Sequence, residues 1–64
     1  MKDSSIRLKA HAKMKSFQAQ GWRLVTFNSG RYFMVRHYKV MTIEIISTNE
    51  GRVWIDGNIK ERFF

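Results

Sequence analysis

Residues 31–47 read Arg31-Tyr32-Phe33-Met34-Val35-Arg36-His37-Tyr38-Lys39-Val40-Met41-Thr42-Ile43-Glu44-Ile45-Ile46-Ser47, and the way this stretch is divided and faced decides the fold. It is rich in β-branched and aromatic residues, contains neither glycine nor proline, and alternates with a period of two, as a strand with one face on a core does. Taken as one strand it exceeds the usual length of about 3–10 residues, so a bend or bulge near His37 to Val40 is predicted. Alternation then separates an odd set, Phe33, Val35, Met41, Ile43 and Ile45, from an even set, Tyr32, Met34, Arg36, Tyr38, Val40, Thr42, Glu44 and Ile46. The odd set is the more apolar and reads as the core face, leaving the even set to solvent or a partner.

Upstream, Ile6, Ala10, Met14 and Phe17 recur at helical spacing, which predicts one helix over about 4–20. Ser4 or Ser5 suits its N-cap, Asp3 its positive end and Gly21 its C-cap. Lys9, Lys13 and Gln20 flank the apolar stripe on one side, and Arg7, His11, Lys15 and Gln18 on the other. Leu8, Ala12 and Ala19 form a second, thinner line on the far side, a candidate protein interface. From Trp22 the period becomes that of strands. The strands are placed at about 22–27, 31–47 with its bend, and 52–56, with turns at Asn28-Ser29-Gly30, at Thr48-Asn49-Glu50-Gly51 and at Asp56-Gly57. Asn58 to Phe64 is readable as a fourth strand, a helical turn or a tail. The expected fold is a single α+β domain, one N-terminal helix packed on a three- to four-stranded antiparallel meander, with Trp22 or Val25, Val53 and Ile55 completing the core.

The chain has 64 residues, a formal charge of +7, 44% apolar residues and no cysteine or proline. A domain of this size buries only about 60% of its extended-chain surface and is stable by roughly 3–10 kcal/mol, which favours binding over a deep catalytic pocket. Absence of cysteine excludes a disulfide framework and thiolate zinc sites, and with no signal-like or spanning apolar run a cytoplasmic setting is expected. The charge is polarised along the chain. Residues 1–40 hold nine bases and one acid, whereas residues 41–64 hold three bases and four acids. Such segregation builds a coherent positive field that attracts polyanions.

Two segments carry candidate chemistry. In 31–39 cations alternate with aromatics, so Arg31, Tyr32, Arg36, Tyr38 and Lys39 are candidates for stacking on bases and pairing with phosphates. On the helix, Arg7, Lys9, Lys13 and Lys15 are candidates for phosphate contact alone, since the helix lacks the side chains for reading base edges. Catalysis is not expected: His11 and His37 have no helical spacing between them, and no serine sits in a nucleophile elbow. No metal or cofactor is expected. The full sequence signature of the common sheet-based RNA-recognition domain is absent.

Helix, Gly21-Trp22-Arg23-Leu24-Val25 and the turn into Ser29-Gly30-Arg31 together resemble the start of HicA-type RNA-cleaving toxins, small basic proteins of α-β-β-β-α, double-stranded-RNA-binding-like fold. The resemblance stops at Arg31, and the Gly-Ser-His motif carrying those toxins' catalytic histidine is not matched, so it implies no nuclease activity here. The expectation is a small nucleic-acid-binding protein, for DNA or RNA, of the size and composition of phage or mobile-element regulators. The alternative is an inhibitor or adaptor that engages an acidic protein surface. A homodimer is a further expectation for so short a chain.

Overall fold

The computed structural model describes residues 4–64. One helix, α1 (Ser4–Ala19), precedes five strands, β1 (Arg23–Asn28), β2 (Arg31–Arg36), β3 (Lys39–Ile45), β4 (Gly51–Ile55) and β5 (Asn58–Phe63). The strands form one antiparallel meander in the order β1-β2-β3-β4-β5, with α1 laid across one face. The α+β class is as expected, with five strands in place of three or four. The ambiguous C-terminal segment is β5, and no closing helix of the kind the toxin resemblance implied is present among the described residues.

The helix buries Ile6, Ala10 and Met14 and half-buries Phe17, the stripe read from its spacing. Its C-terminus closes as a Schellman motif: Gly21 has φ 101°, its N–H donates to Gln18 O, and Trp22 N–H donates to Phe17 O. The apolar contact that accompanies this motif is the edge-to-face pair Phe17–Trp22, with centroids 6.5 Å apart. Asp3 and any N-cap before Ser4 lie outside the described residues, and Ser5 lies within the helix.

Residues 31–47 are not one bent strand. His37 and Tyr38 form a two-residue hairpin loop between β2 and β3, with φ 49° and 65°. Positive φ at both positions is the type I′ geometry whose twist suits a tight hairpin, and it normally selects Asn-Gly. The loop pairs Arg36 with Lys39 and so exchanges parity between the strands. Even residues of β2 and odd residues of β3 therefore share a face. Tyr32 and Met34 are buried beneath α1 beside Met41 and Ile43, while Phe33 and Val35 lie on the opposite face. This reverses the expected facing of the first half of the stretch and keeps that of the second.

The remaining core is Trp22, Val53 and Phe63, with Ile45 and Ile55 packed against it. Val25, one of two alternatives for the β1 core position, sits at a bulge between Leu24 and Thr26 and is 61% exposed. The other tight hairpins, Ser29-Gly30 (φ 53° and 76°) and Asp56-Gly57 (φ 51° and 82°), share the type I′ form. Each places glycine second, where a side chain in the left-handed region would cost about 1–2 kcal/mol.

Candidate functional site

The face of the sheet away from α1 is built as three rows of directly paired residues. The central row runs Thr26, Phe33, Thr42, Trp54, Ile59 across all five strands. Phe33 and Trp54 stand two strands apart, about 10 Å at ordinary strand spacing, and only the small Thr42 lies between them. Both rings are half-buried in the sheet. The second row runs Asn28, Arg31, Glu44, Arg52, Arg62, and the third holds Arg23, Val35 and Val40. A phenyl and an indole ring thus stand beside a row that holds Arg31, Arg52 and Arg62, with Arg23 on the other side of Phe33.

Hydrogen bonds fix this surface. Glu44 accepts from Trp54 Nε1 at 3.1 Å through Oε1 and from Arg31 Nε at 3.1 Å through Oε2, tying three adjacent strands together. Arg52 Nε donates to Glu50 Oε2 at 3.1 Å. Each guanidinium is held through Nε alone, so the Nη ends of Arg31 and Arg52 have no protein acceptor among the described residues. Those side chains retain 48% and 33% of their exposure. Partly exposed ion pairs of this kind add little stability, about 0–1 kcal/mol each, but they orient planar donors that match an anion with two oxygens.

The expected site residues fall into four separate places. Tyr32 is covered by the helix, packed on Phe27 with centroids 4.4 Å apart and beside His11 at 6.5 Å. It is unavailable for stacking, because the His37-Tyr38 loop turned its parity inward. Arg31 lies on the open face. Arg36, Tyr38 and Lys39 lie at the β2–β3 tip, where Arg36 donates to Gln20 O at 2.6 Å and sits 5.4 Å over the Trp22 ring. Arg7, Lys9, Lys13 and Lys15 lie on α1, on the other side of the sheet from Arg31. Lys13 pairs with Glu61 at 2.6 Å and lies over the Phe63 ring, and Lys9 donates to the Phe64 carbonyl, so both are directed to β5 and the chain end. Arg7 borders an open depression of about 220 Å³ with Ile45, Ser47 and Thr48. Leu8, Ala12 and Ala19 are exposed, Leu8 by 67%.

Sequence reading missed Phe33, Trp54, Arg23, Arg52 and Arg62. The facing of Phe33 was concealed by a turn without glycine or asparagine, that of Arg62 by the bulge in β5, and Arg52 and Trp54 were open to reading as the alternates of Val53. Among the described residues no cluster of three His, Cys, Asp or Glu side chains is placed to hold a metal ion, and no helix is long and apolar enough to cross a membrane. Comparison with protein families, with curated proteins and with solved structures gives no match.

Proposed function

We propose that the helix-free face of the sheet binds a single-stranded segment of DNA or RNA, with bases stacked on Phe33 and Trp54 and phosphates held by Arg23, Arg31, Arg52 and Arg62. The supporting observation is the pairing of Phe33, Thr42 and Trp54 in one row beside the row of Arg31, Glu44, Arg52 and Arg62. Stacking needs a ring with an open face: threonines occupy the positions on either side of Phe33, and Trp54 stands between Thr42 and Ile59. Every base has such a face, so the binding this chemistry favours tolerates many sequences. A duplex presents phosphates to the arginines but hides its base faces, which leaves the two rings without a use. The helix-borne charges of Arg7 and Lys15 lie on the far side and add to the long-range field that speeds encounter.

Titration of a fluorescent oligonucleotide at increasing salt tests this reading. With three or four phosphates neutralised on a single strand, log K is expected to fall with log[salt] at a slope of about −2 to −3. Weaker binding to a duplex of the same length is expected alongside it. Absence of binding at low salt, or affinity independent of salt, overturns the proposal.

A further inference from the structure

We infer that the β2–β3 tip is a second contact for the same ligand, in which the Tyr38 ring stacks on a further unpaired base; this rests on the single-strand reading of the sheet face. The observation is an internal contrast among three hairpins. All three have two-residue type I′ loops, and two of them, Ser29-Gly30 and Asp56-Gly57, use a small polar residue followed by glycine. The third places His37 and Tyr38, both bulky, in the same left-handed region. Strain of this kind persists only where surrounding structure enforces it, and it concentrates at functional positions.

The enforcing structure is present here. The base of the tip is held from two sides: Arg36 is anchored to Gln20 O, and the start of β3 is fastened by Val40 N–H donating to Asp56 Oδ1 at 3.1 Å and Asp56 N–H donating to Val40 O at 2.8 Å. Tyr38 itself gains nothing from the fold. Its relative exposure is 107%, so its ring is as open as in an isolated peptide and no contact within the chain offsets its backbone. A ring held out in this way suits a planar ligand such as an unpaired base. Tyr38 lies at the tip, four positions from Thr42, the partner of Phe33, or about 13 Å along the strand direction, so a ligand several nucleotides long is needed to reach both.

The test uses the full chain and a fluorescent twelve-nucleotide oligothymidylate. The double variant H37N/Y38G restores the favoured turn and removes the ring. It is expected to melt about 4–8 °C higher than the parent and to bind roughly 5- to 150-fold more weakly. The variant H37N, which keeps the ring, is expected to bind as the parent does. If H37N/Y38G binds with unchanged affinity while loss of Phe33 and Trp54 still abolishes binding, the tip assignment is wrong and the sheet-face reading stands. A double variant that melts lower removes the strain premise and also overturns the assignment. If the parent protein binds no oligonucleotide, both readings fall.

Discussion

Replacing Gly51 with alanine is expected to destabilise the chain by about 1–3 kcal/mol, a large share of the roughly 3–10 kcal/mol available to a domain of this size. The reason lies in the pairing of Gly51 with Phe63, the first residue of β4 against the last of β5. The tip of the Phe63 ring, its Cζ and both Cε atoms, occupies the space that a Cβ at residue 51 would take. The glycine is needed for close approach and not for an unusual backbone, since its φ lies outside the left-handed region. Phe63 is 7% exposed and closes the β5 end of the core, so the ring cannot simply turn into solvent. Removing the ring on its own, by Phe63→Ala, is expected to cost about 3–5 kcal/mol. The two changes compete for one volume. The double variant G51A/F63A is therefore expected to lose less than the sum of the singles by more than about 1 kcal/mol, measured by urea unfolding under tryptophan fluorescence. Strict additivity would show that the ring does not occupy the space above Gly51.

Tyr32 and Phe33, adjacent in sequence, are expected to respond in opposite ways. Tyr32→Ala removes a ring packed between Phe27, His11 and the buried Ile43, and is expected to cost about 3 kcal/mol or more of stability while leaving the affinity of the folded protein for an oligonucleotide unchanged. Phe33→Thr keeps a good strand residue in a row that already holds Thr26 and Thr42, so its stability cost is expected to be about 1 kcal/mol or less. Its affinity is expected to fall about 5- to 150-fold, the equivalent of one lost stacking contact, and F33T/W54T to fall further. Urea unfolding and fluorescence anisotropy on the same preparations separate the two effects. A Phe33 variant that binds normally would remove the ring from the interface.

This contrast between neighbours also marks where the sequence was legible. The helix could be read because its stripe is regular and its end is marked by Gly21, followed by an aromatic that packs back on Phe17. The hairpins at Ser29-Gly30 and Asp56-Gly57 could be read because glycine is the residue that left-handed backbone selects. The turn at His37-Tyr38 carries no such mark, and the apolar alternation on its two sides looks continuous. A two-residue loop shifts that alternation by one, so Met41, Ile43 and Ile45 were placed correctly on the core face, while Phe33 and Val35 were exchanged with Tyr32 and Met34. β5 was obscure for a related reason: a bulge after Ile59 and four polar residues in six interrupt its pattern. The same parity error moved the candidate site. A cation and aromatic mixture in 31–39 was visible, but which rings it exposes depends on one turn whose conformation its residues do not favour.

The most direct measurement is an amide and side-chain NMR titration of the whole chain with a single-stranded oligothymidylate at low salt. Binding on the helix-free face is expected to shift the Trp54 indole N–H, the Thr42 and Phe33 amides and the Arg31 and Arg52 Nε–H signals together. Arg7, Lys9, Lys13 and Leu8 on α1 are expected to stay in place. Shifts confined to the helix, with the Phe33 and Trp54 signals unmoved, would contradict the assignment of the sheet face as the binding surface.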